Sequence, residues 1–441
     1  MARLRRLALT ARSFDPLSHY WIRYPAKFHP PVAIELLRQF TAPGDLVIDP
    51  FCGSGSLLVE ALVGGRSALG VDIDPVAVFS SRVKTRSYNV TALADSCLRV
   101  LERLERSRPD PSYYGERVYA HGTESWARRA IQDERLWVPK LPTLFHWFRP
   151  YVVLDLARIA RAIKRVRVEG PHRDFLWLAF ASSIRASSNA DPVPVSGVEY
   201  TSYMRSLDEV GRVVDPYYNF ERKINRALET LGALQGARDA TSSVRVRRGD
   251  ATKLPSAAKG ALNQPANALI TSPPYHNAVD YHRRHLLETF WLGFVRNQED
   301  REELGRHYIG RRHVRSLPRV QEIGSLPGFA GRWFERIQAV SPARAAEFAH
   351  YALSMRAVFS GSAKLLKRGA PAVFVVGHST WNGDEISTSA LLRELAGREF
   401  ELADQLYYPL ANRYMSFSRH NKASIDREYV LVFRRTRRKD A

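Results

Sequence analysis

The arrangement of residues 46–72 constrains the fold more than any other part of the chain. The short apolar run 46–48 predicts a buried strand, and it leads into the loop 49–56, Asp-Pro-Phe-Cys-Gly-Ser-Gly-Ser. Apolar residues at helical spacing follow this loop, and a second apolar run at 68–71 ends in Asp72. A strand, a loop, a helix and another strand in this order predict a parallel, doubly wound α/β sheet.

Further along the chain this alternation stops and then resumes. Helical patterns dominate residues 91–240, which we expect to form a large insertion that includes helices near 151–168, 173–188 and 218–235. Later strands are predicted at 244–246, 268–270, 372–376 and 428–433. The expected units are an N-terminal half of the sheet domain at 1–90, the helical insertion at 91–240, and a C-terminal half at 241–441 that contains an Arg-rich insertion at 296–345.

The net charge of the chain points to a polyanionic partner. It is +21 over 441 residues. Each phosphate that a basic group neutralises releases counterions, so such a surplus favours nucleic acid. The alternative is an Arg-rich surface that binds no such partner. Residues 1–18 are basic and are expected to form a loose arm.

Cysteine content and hydropathy exclude several classes of protein. Two cysteines, Cys52 and Cys97, are too few for a disulfide framework or a Cys-rich zinc site. No apolar run is long enough to span a bilayer, and the first residues lack the apolar stretch of a signal peptide. We therefore expect a cytoplasmic protein without a membrane partner.

The loop 49–56 has the features of a nucleoside site without a phosphate site. Gly53 and Gly55 have no Cβ, so the backbone can turn sharply and approach a ligand. The loop lacks the Gly-Lys-Ser/Thr of a P-loop, and its spacing differs from the dinucleotide pattern. Asp72 ends the next strand, where a carboxylate can accept hydrogen bonds from ribose hydroxyls. Asp250 follows a later strand, where it can meet an adenine amino group.

A second loop with chemical potential follows the apolar run 268–270. Its sequence at 272–275 is Ser-Pro-Pro-Tyr. Two consecutive prolines cannot continue a strand ladder, and they hold the backbone in an extended form. The strand should therefore end in a stiff loop that presents a hydroxyl group and free carbonyls at its mouth. The alternative is a plain Pro-Pro turn at the end of a strand.

Together, the loops 49–56 and 272–275 resemble motifs of the S-adenosylmethionine-dependent amino-methyltransferases of DNA. The chain is most similar to the N4-cytosine type, in which Ser commonly opens the second motif. The resemblance covers about half of the chain, and the order of the motifs is similar to the class whose target-recognition region lies between them. It implies a Rossmann-like class I methyltransferase fold, S-adenosylmethionine as cofactor and double-stranded DNA as substrate, and it allows for a partner restriction endonuclease.

The resemblance also assigns residues to the site. The segment that precedes the glycine loop looks like the family's cofactor segment. The predicted cofactor-binding residues are Lys27, Phe28, His29, Pro30, Asp49, Pro50, Phe51, Cys52, Gly53, Ser54, Gly55, Asp72, Ile73, Asp250 and Ala251. The predicted catalytic residues are Ser272, Pro273, Pro274 and Tyr275.

An exocyclic amine needs help to react, because conjugation with the ring makes its lone pair a poor nucleophile. Acceptors that hold the amino hydrogens out of the ring plane would localise the lone pair. Ser272 Oγ and the Pro273 carbonyl are the candidates, with Tyr275 stacked on a base flipped from the duplex. The alternatives are N6-adenine methylation, amino-group methylation of RNA, and a catalytically silent DNA-binding subunit.

Several other residues allow two interpretations. Cys52 lies in the cofactor loop and is expected to be a packed residue, not a nucleophile. His276, His282 and His285 are expected on the surface or against substrate phosphates. The spacing of His282 and His285 could suit a metal ion, but no third ligand is evident, so no metal site is predicted. The insertion at 91–240 and the Arg-rich stretch at 296–345 are both candidates for reading DNA, and a mobile loop on phosphates is one expectation for the latter.

Overall fold

The computed structural model describes residues 4–7, 16–24, 27–110, 112–113, 122–192, 197–276, 281–310, 323–410 and 426–436, without the side chains of residues 281 and 282. Its centre is a mixed sheet in the order β1-β9-β10-β6-β5-β2-β3-β4, and β7 and β8 form a separate hairpin. The strands are β1 Leu4–Arg6, β2 Leu46–Asp49, β3 Ser67–Asp72, β4 Val244–Arg248, β5 Ala268–Thr271, β6 Pro371–Val376, β7 Ser379–Trp381, β8 Asp384–Ile386, β9 Phe400–Pro409 and β10 Arg427–Arg435.

The strand directions are those of a doubly wound, mostly parallel sheet with one antiparallel strand. Neighbouring strands of the large sheet are parallel except that β10 runs antiparallel to both β6 and β9. Chain order reverses at β2, which has β5 on one side and β3 on the other. Open α/β sheets bind ligands at such a reversal, outside the carboxyl ends of the strands. The predicted doubly wound α/β fold is thus confirmed.

Two strands of the sheet were not predicted. β9 extends the sheet beyond β10, and its alternation of exposed and half-buried residues gives it a weaker pattern than a buried strand has. β1 pairs in parallel with β9 through the register Leu4 to Gln405. The expectation of a loose arm at residues 1–18 is therefore wrong for Leu4–Arg6, which covers the sheet edge that β9 would otherwise expose.

The helices are α1 Pro30–Phe40, α2 Ser56–Val63, α3 Pro75–Thr85, α4 Val90–Glu105, α5 Glu124–Asp133, α6 Leu144–Trp147, α7 Pro150–Arg165, α8 Gly170–Ile184, α9 Ser202–Glu209, α10 Pro216–Ala237, α11 Leu254–Ala257, α12 Tyr281–Arg284, α13 Leu286–Trp291, α14 Gln298–Arg306, α15 Gly328–Gln338, α16 Pro342–Leu365 and α17 Thr388–Leu395. No described helix has the length and apolar character needed to cross a bilayer.

The two faces of the sheet are covered by different helices. Successive residues of a strand point to opposite faces, and in β2 Val47 packs with α1 and α2 whereas Ile48 packs with α16. Both α1 and α16 begin with proline, which suits the first helical turn because its missing amide would have no helical partner. The carboxyl edge between these layers stays free for loops.

Helices α4 to α10 lie between β3 and β4 in the chain and bury a hydrophobic core together with side chains of α2, α3 and α13. Five apolar side chains of α8 are buried in this core: Phe175, Leu176, Leu178, Phe180 and Ile184. Trp291, on α13 beyond the second loop, joins the same core and lies edge-on to Phe148 and Phe180 at 5.9 and 6.0 Å between ring centroids. The helical segment is therefore packed against the sheet domain near the predicted site.

The stretch 296–345 contains helices, whereas one expectation for it was a mobile loop that contacts phosphates. It contains α14 and α15, and α16 begins within it at Pro342. Of the arginines that suggested a mobile loop, those between residues 311 and 322 lie outside the described residues.

Phe359 should contribute more to stability than any exposed apolar side chain. It is fully buried on α16, with ring centroids 4.5 Å from Phe374, 5.4 Å from Phe433 and 5.8 Å from Phe400. We expect Phe359→Ala to lower the free energy of unfolding by about 3–5 kcal/mol, because it removes apolar burial and leaves a cavity. Urea unfolding measures this, with Val340→Ala, at a position 64% exposed, as the control. Equal losses in the two variants would contradict the packing described.

Candidate active site

Adjacent parallel strands bring the two predicted loops together. β2 and β5 pair through Val47 with Ala268 and Ile48 with Leu269, so both strands end at one point of the carboxyl edge. Just beyond this register, Thr271 Oγ1 donates a 2.6 Å hydrogen bond to Asp49 Oδ1. Loops more than 200 residues apart in sequence thus start from side chains in direct contact.

The glycine loop depends on its two glycines for different reasons. Gly53 has φ +50°, and a Cβ there would lie 3.2 Å from the ring of Tyr24. Gly55 has φ +78°, and a Cβ there would lie 3.2 Å from the backbone of Ser81. Both backbones lie in the left-handed region, where L-residues with a side chain are strained. The loop is therefore held close to its neighbours.

Asp72 is bound to the glycine loop. Its Oδ2 accepts a hydrogen bond from the Gly53 amide at 2.8 Å, and its Oδ1 accepts one from the Asp74 amide at 2.9 Å. Burial, and then the neighbouring carboxylate of Asp74, raise the pKa of Asp72 to about 7. Burial likewise raises the pKa of Asp49 to about 7. Each carboxylate oxygen has a second lone pair, so Asp72 can still accept bonds from a ligand.

A single cleft of about 800 Å³, counting its open mouth, lies between the two loops. Most of the predicted residues line it: Lys27, Phe28, Asp49, Pro50, Phe51, Cys52, Gly53, Ser54, Asp72, Ile73, Asp250, Ala251, Ser272 and Pro274. The predicted donor loop and the predicted acceptor loop therefore share one cavity. This is the geometry that transfer between two bound groups requires.

Five predicted site residues do not line this cleft. They are His29, Pro30, Gly55, Pro273 and Tyr275. Pro30 begins α1 after His29, and Gly55 precedes α2 as its N-cap. These three residues lie where α1 and α2 begin, next to the lining residues in the chain.

Tyr275 has a defined orientation. Its hydroxyl donates to Glu428 Oε1 at 2.5 Å, and the hydroxyl of Tyr408 donates to the other carboxylate oxygen of Glu428. Glu428 lies on β10 and Tyr408 on β9, so the antiparallel end of the sheet anchors the ring that ends the second loop.

Six further residues line the cleft without having been predicted to do so: Tyr24, Ser56, Asp74, His307, Tyr308 and Ile309. The last three follow α14 and close one side of the cleft. Tyr308 is 8% exposed, and burial followed by the charges of Asp74 and Asp72 raises the pKa of its phenol. Nothing local in the sequence marks these residues, because the Arg-rich stretch around them resembles a solvated surface.

A fully buried lysine supports the glycine loop from below. Lys84 Nζ donates a 2.6 Å hydrogen bond to the carbonyl of Ser54, and burial holds the pKa of this amine well below its usual range. Beside it, the buried pair His19 and Glu60 lies at 2.6 Å. Burial, followed by the nearby lysines, lowers the pKa of His19 to about 2, so the neutral imidazole donates through Nε2.

The expectation of surface positions for His276 and His285 is wrong. His276 is 2% exposed and lies edge-on to Phe348, and burial followed by Arg344 lowers its pKa to about 3. His285 is 3% exposed and its Nδ1 is 2.8 Å from Asp74 Oδ2. The side chain of His282 lies outside the described residues.

Cys52 is a packed residue, as expected. It is 5% exposed, and burial raises the pKa of its thiol well above the usual range, so it is not a thiolate nucleophile. Within the part of the chain that the structure describes, no three His, Cys, Asp or Glu side chains are grouped to hold a metal ion.

The lining of the cleft fits an adenosyl sulfonium compound. Asp72 offers an acceptor for the hydroxyls of a ribose, and Ile73 and Ile309 offer apolar contact for a base. Three carboxyls, at positions 49, 72 and 74, favour a cationic ligand in a buried setting. Lys27, whose pKa burial lowers to about 8, can neutralise a carboxylate at the other end.

The buried pair of Asp74 and His285 should make stability depend on pH. Burial lowers the pKa of His285, but the Asp74 carboxylate outweighs this and raises it above the ordinary 6.5; the pKa of Asp74 falls below 3.8. The contribution of the pair is therefore complete between these values. It is lost as the pH rises through the folded pKa of His285, and also in strong acid.

We expect His285→Gln to lower the free energy of unfolding by about 3–5 kcal/mol at pH 6, and by less at pH 9. Urea unfolding across this range measures the difference. His307→Gln, at a half-exposed histidine, serves as the control. A loss that stays constant from pH 6 to pH 9 would show that the ion pair does not exist.

Comparison with known proteins supports the resemblance to DNA amino-methyltransferases. A family model described as DNA methylase of the N6/N4 type matches residues 12–80. Type II methyltransferase M.MjaII of Methanocaldococcus jannaschii is 23% identical over 59% of this chain and 60% of its own length. Type II methyltransferase M.MvaI of Kocuria varians is 25% identical over 63% of this chain and 58% of its own length.

The chain thus spans about three fifths of the length of these two relatives. A shorter match, 32% identical over 20% of this chain and 29% of the relative, is to a tRNA (guanine(10)-N2)-dimethyltransferase of Methanothermobacter thermautotrophicus. Taken with the strand order and the shared cleft, these matches show that the chain is similar to the N6/N4 amino-methyltransferases of DNA, whose family model covers residues 12–80.

Proposed function

We propose that the protein transfers a methyl group from S-adenosylmethionine to the exocyclic N4 of cytosine in double-stranded DNA. The observation that carries this proposal is the cleft that the glycine loop shares with Ser272 and Pro274. Serine as the first residue of the second loop favours cytosine over adenine, by resemblance to the N4-cytosine type. A partner restriction endonuclease, which the resemblance implies, is part of the proposal.

The residues around the glycine loop would hold the cofactor. When bound, S-adenosylmethionine supplies an electrophilic methyl group on a sulfonium. Asp72 would accept the ribose hydroxyls, and Asp250, which lines the same cleft, would accept from the adenine amino group. Tyr308 and Ile309 would cover the opposite side and exclude water, which strengthens the electrostatic attraction between the carboxylates and the sulfonium.

The second loop would prepare the amine. Ser272 Oγ and the Pro273 carbonyl would accept the two amino hydrogens and so localise the nitrogen lone pair toward the cleft. The two prolines fix these acceptors before reaction, so little reorganisation is needed. Tyr275 would stack on the flipped base, with its ring angle set by the hydrogen bond to Glu428. The proton leaves to solvent after transfer, and no covalent enzyme intermediate forms.

RNA is the second candidate substrate, because the local match to a tRNA methyltransferase covers part of the chain. The net charge of +21 suits either nucleic acid. Duplex DNA remains the proposed substrate because the longer matches are to type II methyltransferases.

The cofactor assignment predicts a loss of affinity in one variant. Asp72→Ala removes an acceptor for the ribose and a partner of the Gly53 amide, so the affinity for S-adenosylmethionine should fall by about 10- to 100-fold.

In the wild-type protein the affinity for S-adenosylmethionine should weaken as the pH falls through about 7, because Asp72 and Asp49 then become protonated. Calorimetry measures both effects. Asp133→Ala, at an exposed carboxylate, is the control, and equal affinities for both variants would refute the assignment.

The catalytic assignment predicts variants that bind the cofactor normally but transfer the methyl group poorly. Ser272→Ala and Tyr275→Ala should keep the affinity for S-adenosylmethionine and reduce methyl transfer by about 100-fold or more, since they remove groups that act on the acceptor base. The measurement is transfer to duplex DNA, followed by digestion to nucleosides and mass spectrometry.

N4-methylcytosine is the expected product of that digestion. N6-methyladenine, or labelled RNA with unmodified DNA, would replace the proposed substrate by one of its alternatives. Wild-type protein that binds no S-adenosylmethionine would favour the silent subunit. Activity of Tyr275→Ala at the wild-type level would disprove the stacking role.

A further inference from the structure

We infer that one face of α10 and the segment before the glycine loop form a contact surface for the phosphodiester backbone of duplex DNA. This inference rests on the proposed function and assigns a part of the helical insertion to the substrate. The surface, called the basic face below, consists of Tyr20, Arg23, Tyr218, Arg222, Lys223 and Arg226.

Packing holds the two parts of the basic face against each other. The indole Nε1 of Trp21 donates to Thr230 Oγ1 on α10 at 2.8 Å, and the same ring lies edge-on to Phe175 at 5.3 Å. On α10, Lys223, Arg226 and Thr230 are at i, i+3 and i+7, which places them on the side of the helix that meets the segment 20–23. The opposite side of α10 is buried in the helical core.

The cations of α10 repel one another. Burial, followed by the charges of Arg222, Arg226 and Arg23, lowers the pKa of Lys223 to about 8. Arg222 and Arg226 are at i and i+4, a spacing at which like charges destabilise a helix. Within the described residues, none of the three cations on α10 forms an ion pair with a carboxylate.

Two other arginines of the helical segment are each paired with a carboxylate. Arg108 lies 2.5 Å from Asp215, and Arg149 lies 2.7 Å from Asp208. In the part of the chain that the structure describes, no carboxylate offsets the repulsion on α10 in this way. An anionic ligand relieves such repulsion, and a polyanion with regularly spaced phosphates can contact several of these cations at once.

The aromatic side chains of the basic face are exposed. Tyr20 is 45% exposed and Tyr218 is 54% exposed, and each ring has a cation above it: Lys27 over Tyr20 at 3.6 Å and Arg222 over Tyr218 at 5.7 Å. Tyrosine hydroxyls and arginine side chains are common contacts to phosphate and sugar. The combination suits a nucleic-acid backbone better than an apolar protein partner.

The basic face is connected to the cleft through the chain itself. Arg23 is followed by Tyr24, which lines the cleft and whose ring contacts the position of Gly53. A duplex that rests on this face would have its backbone next to the opening through which a flipped base enters. Because phosphate contacts position the duplex and read no sequence, the basic face sets orientation and leaves the recognition sequence to other groups.

The test is the salt dependence of DNA binding by the full chain. The variant Arg222→Ala/Lys223→Ala/Arg226→Ala should reduce the slope of log affinity against log salt by about 2 to 3, since each lost phosphate contact removes about 0.9. Its affinity for duplex oligonucleotides of any sequence should fall by at least about tenfold at low salt. Fluorescence anisotropy measures both, and calorimetry should show unchanged affinity for S-adenosylmethionine.

A matched control removes the same charge elsewhere. Lys364, Lys367 and Arg398 are exposed and precede β6 or β9, at the sheet edge opposite the cleft. Their triple alanine variant should bind DNA with the wild-type slope. The charge-retaining variant Arg222→Lys/Arg226→Lys should also keep most of the slope, which separates loss of charge from loss of fold.

The outcomes distinguish this inference from the proposed function. If the wild type methylates DNA and both triple alanine variants behave alike, the basic face is not a DNA contact although the function holds. If the wild type neither methylates nor binds duplex DNA, the proposed function fails and the inference fails with it. Tighter binding of duplex RNA than of duplex DNA to the basic face would overturn the choice of partner.

Discussion

The hydrogen bond from Thr271 to Asp49 joins the two halves of the site, and the other features of the cleft follow from it. It exists because β2 and β5 are parallel neighbours at the point where chain order reverses. Both of its partners are buried, so losing one would leave a polar group without compensation inside the sheet. The position of the glycine loop relative to the Pro-Pro loop is therefore fixed by the backbone ladder and by one side-chain contact, and flexible surface groups have no part in it.

The electrostatics of the cleft follow from burial. Asp49, Asp72 and Asp74 lie within one small region, and water does not screen them as it would at a surface. The protein stabilises these carboxylates with backbone amides at Asp72 and with His285 at Asp74. A cation bound among them gains more than it would in solution, and a second anion is repelled. The loop 49–56 has no phosphate-binding sequence and the lining of the cleft is acidic. Both features favour a cationic ligand over an anionic one.

Much of the sheet and of the cleft could be predicted from sequence, since strand ends are marked by short apolar runs followed by glycine, proline or acid. The strands at β2, β3, β5 and β6 and the lining positions in loops 49–56 and 272–275 have such signals. The contribution of Tyr308 and Ile309 has none, because it depends on where α14 ends relative to the sheet. Two further contacts also depend on the tertiary structure: the pairing of Asp74 with His285 and the hydrogen bond from Lys84 to Ser54. The sequence alone does not distinguish a buried lysine or histidine from an exposed one.

The chain supplies the walls of the cleft in a fixed temporal order during synthesis. The glycine loop leaves the ribosome early, but its partner strand β5 starts at Ala268 and the closing residues reach only to Ile309. Long-range strand pairing must wait for the later segment, which makes the sheet slow to complete. A nascent chain shorter than this has the glycine loop without the Pro-Pro loop. The proposed transfer would thereby need a chain that has been translated past the second loop, since a shorter product lacks one side of the cleft.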